Sequence, residues 1–199
     1  MEPEEKNEQQ TDRGAYEWMQ ALVCSVLAAV LVFTFAARVV GVSGGSMRST
    51  LQDGDMLLVM NSLLCSGFRQ GDIVIAAKAS FENGEPIVKR VIATEGQTVD
   101  IDFETGVVTV DGADLEEPYI REATHLAEGT VFPATVPEGC VFLMGDNRND
   151  SRDSREPSLG MVDTRNIIGR AVCLLLPGKT ADTDRRDWRR IGTLAGALS

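Results

Sequence analysis

Residues 18–37 read WMQALVCSVLAAVLVFTFAA, twenty positions without a charge. As a helix this run spans roughly 30 Å at about 1.5 Å per residue, the thickness of a bilayer's hydrocarbon core. It is apolar on every face, unlike the one-sided helix of a small soluble domain. Trp18 suits one membrane interface, and Arg38 can snorkel at the other. A cleaved signal peptide is the competing reading, with 34–36 as a loose cleavage site, but it needs a basic start and a shorter apolar run. Here the first 17 residues carry six acids (Glu2, Glu4, Glu5, Glu8, Asp12, Glu17) against Lys6 and Arg13. We therefore expect residues 1–17 to be a tail without regular structure and 18–40 to be a single transmembrane helix. The flanking charges do not decide its orientation.

Beyond Gly41 the character changes to short apolar runs separated by turn signals. Strands are predicted over 56–60, 72–77, 86–94, 98–103, 107–110, 140–145 and 167–175. Glu104-Thr105-Gly106 and Asp111-Gly112 read as tight turns, so 98–116 is a meander. With no helical period outside the anchor, residues 41–177 are expected to form a mainly β domain of curled, packed antiparallel sheets. Residues 178–199 are polar and then small, and a flexible tail is expected there. Arg185, Arg186, Arg189 and Arg190 around Trp188 offer a second reading, contact with anionic lipid headgroups. A net charge of -11 repels phosphate backbones and argues against nucleic acid as a partner. Cys24, Cys65, Cys140 and Cys173 lack zinc-site spacing. Cys24 lies in the anchor, so Cys65, Cys140 and Cys173 allow at most one disulfide, and buried free thiols are the simpler expectation.

Directly after the anchor stands VSGGSMRSTL, residues 42–51, with three serines spaced three apart and two adjacent glycines. A serine hydroxyl is a weak nucleophile until a base takes its proton. His125 is the only histidine, and it sits in a polar stretch with loop character. A lysine can serve if burial keeps it neutral. Of the four lysines, Lys6 lies across the anchor, Lys179 in the tail and Lys78 in a polar run. Lys89 alone is embedded in an apolar strand, Ile87-Val88-Lys89-Arg90-Val91-Ile92. Alternation puts Lys89 on one face and Arg90 on the other. If one face is solvated, one of the two cations must be buried, and lysine costs less because it can shed its proton. A lysine reaching out to water is the alternative for this strand taken alone. A third feature, GDNRNDSRDSR over 145–155, has no apolar side chain and follows an apolar strand. Read alone it is a charged surface loop; it lacks the spacing of a calcium loop.

In this order, behind one anchor, these stretches resemble the bacterial type I signal peptidases, the Ser/Lys kind of the peptidase S26 family. The family's serine box is S-G-x-S-M-x-P-T-L, and the chain has SGGSMRSTL. The lysine box matches at 88–92 and the G-D-N-R-x-x-S-x-D-S-R box in full from Gly145 to Arg155. Gly54-Asp55 and Gly71-Asp72 before strands are similar too, and the likeness covers about 18–176. The resemblance implies that Ser46 is the nucleophile, Lys89 the general base and Ser151 the residue orienting the lysine. It implies structural support from Asp146, Asn147, Arg148, Asp153 and Arg155. The Ser46 N–H would be one oxyanion donor. Some members carry a side-chain donor two positions earlier, where this chain has Gly44, leaving the Gly44 backbone or nothing as the second. Val42, Ser43 and Gly44 on one side, and Glu85, Pro86 and Ile87 on the other, would flank an extended substrate. That substrate would be a secreted preprotein with small residues at -3 and -1, and no metal or cofactor is implied. The enzyme would sit in the cell membrane by one span, N-terminus cytoplasmic and catalytic domain extracytoplasmic. Ser49 departs from the family's proline. The competing readings are a self-cleaving Ser/Lys repressor, which has no anchor, a histidine-using signal peptidase, which Lys89 argues against, and a catalytically inactive membrane-anchored scaffold.

Overall fold

The computed structural model describes residues 2–180 and 185–194, with side chains from residue 16 onward. The chain divides into two units, Met1–Arg38 and Val39–Ser199. The first is a helix, α1 (Glu2–Phe35), of which Tyr16–Phe35 is long and apolar enough to cross a bilayer. Helix from Glu2 onward differs from the unstructured tail expected over 1–17. The apolar run supplies a nucleus from which helix propagates. The C-terminal boundary also differs from the expected residue 40. Helix stops at Phe35, and β1 (Ala37–Gly41), with its β-branched Val39 and Val40, is extended.

All seven predicted strands form. They are β2 (Met56–Asn61), β3 (Ile73–Ala76), β4 (Ile87–Thr94), β5 (Thr98–Asp102), β6 (Val107–Val110), β9 (Cys140–Met144) and β11 (Ile167–Leu176). Four two-residue strands escape sequence patterning: β7 (Ala113–Asp114), β8 (Ala134–Thr135), β10 (Val162–Asp163) and β12 (Gly192–Thr193). One sheet runs β1-β2-β11-β3-β4-β9-β10, with β12 also paired to β11; a smaller one runs β7-β6-β5-β8. The β5–β6 hairpin turns where expected, and Asp111 and Gly112 take φ of 53° and 79° in the turn to β7.

The two sheets share a core. Ile92, Ala93, Phe142 and Met144 of the larger pack with Val99, Ile101, Val108 and Val110 of the smaller. Strand β4 is covered on both faces: Val88 meets the cluster of Leu51, Leu57 and Ile75, while Ile87 and Val91 join that of Val74, Phe81 and Leu143. From Lys89 to Ala93 this strand is buried on both faces, and only its ends are half-exposed.

The C-terminal residues described are docked, in contrast to the flexible tail expected over 178–199; 181–184 and 195–199 lie outside the described residues. Arg190 donates to both oxygens of the buried Asp55 carboxylate (3.0 and 2.6 Å) and to the Thr50 carbonyl (3.1 Å). The Gly178 N–H donates to the same carboxylate (2.6 Å), and Leu194 packs on the core beneath. All four cysteines are free thiols, and Cys65, Cys140 and Cys173 are half-buried instead of buried.

Candidate active site

A cleft of about 650 Å³ opens where the three sequence stretches converge. Ser46, Lys89 and Ser151 all line it, together with Ser43, Gly44, Glu85, Pro86 and Ile87. His125 lies outside, exposed in its loop, with Nδ1 3.0 Å from the Phe103 carbonyl.

Ser46 sits on a tight turn that closes through N–H bonds from Arg48 to Gly45 O and from Thr50 and Leu51 to Met47 O. These bonds leave the Ser46 N–H outside the turn. The Ser46 carbonyl accepts from the Asn147 N–H (2.9 Å), and Asn147 Nδ2 donates to Gly45 O (3.0 Å), tying the turn to the 145–155 loop. Gly145 makes that approach possible. A Cβ there would overlap the Ser151 hydroxyl and come within 2.5 Å of the Ser46 carbonyl oxygen.

Gly44 has φ +93°, and its N–H donates to Asp53 Oδ1 (2.9 Å). The backbone group expected as a second oxyanion donor is thus engaged by a carboxylate in the free protein. Val42 also differs from expectation. Its side chain is 6% exposed and packs in the core with Met47 and Leu51. Its N–H donates to Asp55 O (2.8 Å) and its carbonyl accepts from the Gly54 N–H (2.9 Å), so neither is left for a substrate strand. Val40 and Gly41 line the cleft instead.

Lys89 and Arg90 are both buried, at 3% and 2% exposure. The premise of one solvated face fails for a strand covered on both sides, and the two cations are handled differently. Arg90 stays charged in a bidentate pair, Nε to Asp146 Oδ1 (2.8 Å) and Nη2 to Asp146 Oδ2 (2.6 Å), with its guanidinium 3.9 Å from the Tyr119 ring centre. Thr50 Oγ1 adds a bond to Asp146 Oδ2 (2.5 Å). Lys89 forms no ion pair among the described residues. In β4–β9 pairing Arg90 faces Met144, the last residue of β9, so Lys89 faces the point where the strand gives way to Gly145 and its loop. Burial pushes its ammonium down to about 8 from 10.5, opposed by the negative charges of Asp153 and Glu128 and helped by Arg155.

Most of the 145–155 loop is internal, contrary to the surface loop its composition implies when read alone; only Asp150 and Arg152 are exposed. Asp146, Arg148, Ser151, Asp153, Ser154 and Arg155 are all buried. Arg155 Nε and Nη2 each donate to Asp153 at 2.8 Å, and Arg155 caps the carbonyls of Leu126 and Ser151. Arg148 pairs with Glu117 and donates to Thr124 Oγ1 (3.0 Å) and Gly145 O (3.0 Å). Ser151 Oγ donates to Asp153 Oδ2 (3.0 Å), which fixes the hydroxyl proton and leaves the oxygen lone pairs as acceptors. Sequence reasoning missed Glu117, Tyr119 and Glu128; they belong to a segment with no strand period, and only the fold brings them here.

Comparison with known proteins covers the segment that carries these stretches. A family model described as signal peptidase, peptidase S26, matches residues 15–176. The chain is similar to a signal peptidase I of Bacillus licheniformis, 36% identical over 170 residues that cover 81% of this chain and 89% of that one. Its similarity to signal peptidase I T of Bacillus subtilis is 35% identity over 185 residues, 87% and 91% of the two chains. Among solved structures, a signal peptidase I from Enterococcus faecalis is 30% identical, with a TM-score of 0.43 over 53% of this chain and 97% of that one.

Proposed function

The chain belongs to the signal peptidase family, peptidase S26, and we propose that it is a serine endopeptidase that removes signal peptides from exported preproteins by a Ser46/Lys89 mechanism. The observation that carries this reading is the burial of Lys89, without a counter-ion among the described residues, in the cleft that Ser46 and Ser151 also line. With its ammonium pushed down to about 8, a large fraction of Lys89 is a neutral amine near pH 8. Neutral Lys89 takes the Ser46 proton as Oγ attacks the scissile carbonyl. The Ser46 N–H, outside the turn's own bonds, stabilises the oxyanion. The ammonium then protonates the leaving amine, the acyl-enzyme remains on Ser46, and the regenerated amine activates water to hydrolyse it. Ser151 accepts a hydrogen bond from Lys89 and aims it, because its own proton is committed to Asp153.

The substrate enters as an extended strand with small residues at -3 and -1, and cleavage follows an Ala-x-Ala segment. Ser43 and Gly44 flank it on one side and Glu85, Pro86 and Ile87 on the other. Asp146, Asn147, Arg148, Asp153 and Arg155 hold the frame. Tyr16–Phe35 crosses the cell membrane once, with the N-terminus cytoplasmic and the catalytic domain outside, where exported chains emerge. Protease added to spheroplasts should then digest the β domain; protection would reverse the orientation.

The deciding experiment uses detergent-purified full chain and a preprotein whose signal ends Ala-x-Ala. Wild type should cut after the final Ala, with activity rising through pH 8, while Ser46→Ala and Lys89→Ala should not cut. Cutting that survives Lys89→Ala would refute the mechanism.

A further inference from the structure

Glu128 lines the cleft with Ser46, Lys89 and Ser151, on a different segment from all three. Its side chain is 9% exposed, in a residue that is half-buried overall. Glu128 Oε2 accepts from the Asp153 N–H (3.2 Å) and lies 3.7 Å from Arg155 Nε. The carboxylate therefore grips the ion pair that fixes the Ser151 hydroxyl. It has no full counter-charge of its own, because both oxygens of Asp153 already occupy the Arg155 guanidinium.

We propose that Glu128 is a positioning residue of this site, holding the Asp153–Arg155 pair behind Ser151 and setting, by its own charge, how readily Lys89 gives up its proton. The inference rests on Lys89 being the base. The groups around Glu128 are Asp153 and Arg155 of the loop and Glu156 just after it, which act on its titration, and Lys89 of β4 and Arg152 of the loop, on which its charge acts. Glu82, on the turn before β4, lines the same cleft and also acts on Lys89. Burial and the neighbouring Asp153 charge raise Glu128 to about 7, next to a lysine at about 8. The ionised carboxylate favours the ammonium, so it holds Lys89 up above pH 7. As pH falls, Glu128 takes a proton and releases that hold, and Lys89 keeps more of its neutral form than it would beside a fixed charge. Two protons that bind against each other in this way spread the titration.

The test is the pH profile of kcat/KM for Glu128→Gln, whose amide oxygen can still accept from the Asp153 N–H. The acid limb should move to lower pH by about half a unit or more and steepen towards a single-proton slope. Glu82→Gln should move it less, because Glu82 is exposed and paired with Arg152 (2.5 Å). Thermal melting of each variant checks that the frame is kept. If Glu128→Gln melts early and loses activity, Glu128→Asp, which keeps the charge, should restore the wild-type slope. An unchanged acid limb, a shift to higher pH, or a melted Glu128→Gln that Glu128→Asp does not rescue overturns the proposal. If Lys89→Ala itself retains activity, it is the Ser/Lys mechanism that fails, and the two failures are thereby distinguished.

Discussion

Lys89→Met keeps most of the length of the side chain and deletes its charge, so it isolates what burying that charge costs. In the folded protein the ammonium falls to about 8 from 10.5. That gap, at about 1.4 kcal/mol for each tenfold change in proton affinity, makes the protonated folded state roughly 3–4 kcal/mol less stable than it would be with an unperturbed lysine. The sign follows from proton counting. Below pH 8 both folded and unfolded chains hold the proton and the full penalty is present. Between pH 8 and 10.5 the unfolded chain still holds it while the folded chain has lost it, so wild-type stability rises through that window. Lys89→Met has no such term. At pH 7 the inactive variant should therefore be the more stable protein by about 2–4 kcal/mol, and the gap should close as pH rises towards 10. The assay is urea unfolding of the full chain in detergent at pH 7, 8, 9 and 10. Trp188 fluorescence reports on the β domain, with Trp18 in the anchor as background. A variant less stable than wild type at pH 7, or a gap the same at pH 7 and pH 10, would refute the claim that desolvation lowers the proton affinity of Lys89.

Other perturbations test the frame. Gly145→Ala puts a methyl group against the Ser46 carbonyl and the Ser151 hydroxyl; kcat/KM for the preprotein should fall about 100-fold or more, with about 1–3 kcal/mol lost in urea unfolding. Arg190→Ala leaves the buried Asp55 without its cation, and urea unfolding should register a loss of about 2–4 kcal/mol. Ser49→Pro removes only a 3.5 Å contact from Ser49 Oγ to the Asp146 carbonyl, and the turn's bonds do not use the Ser49 N–H. Its melting should be unchanged or stabilised by about 0.4–1 kcal/mol; a folded but inactive Ser49→Pro would mean that the turn has another shape.

The strands were legible because their apolar runs end at turn residues, and the seven longer ones form as expected. What escaped was short or depended on partners. Ala37–Gly41 continues an apolar helix without a break in composition, and only pairing with β2 makes it a strand. Ser46, Lys89 and Ser151 could be singled out by chemistry and motif, and the fold brings them to one cleft. The error over Arg90 is instructive. Alternation separates the two cations correctly, but choosing between them needs one wet face on β4, and no local pattern reveals that a strand is covered on both sides. The 145–155 loop was misread for a related reason. Composition counts charges, whereas burial depends on whether each finds its opposite, and Glu117 lies far from Arg148 in sequence. Val42 shows the same limit at one residue, since its backbone is claimed by Gly54 and Asp55.

The ion pairs around the cleft do more than hold its shape. Three buried arginines, Arg90, Arg148 and Arg155, each face a carboxylate: Asp146, Glu117 and Asp153. Any of these acids left without its arginine would be a buried anion in search of a cation, and Asp153 already raises the proton affinity of Lys89. Arg155 answers that twice. It satisfies both oxygens of Asp153, and its own positive charge lowers the lysine further. Arginine suits the part because it cannot itself lose a proton at any working pH. The Ser151 hydroxyl takes the remaining share of Asp153 and turns its lone pairs outward. Desolvation alone would push a lysine down wherever a strand buried it, but in most proteins a nearby carboxylate would follow it in and restore the ammonium. Here Asp153, the carboxylate that acts most strongly on Lys89, is already held by Arg155 and Ser151, Glu128 is the exception, and a lysine of lowered proton affinity in one cleft with Ser46 is what that pairing leaves over.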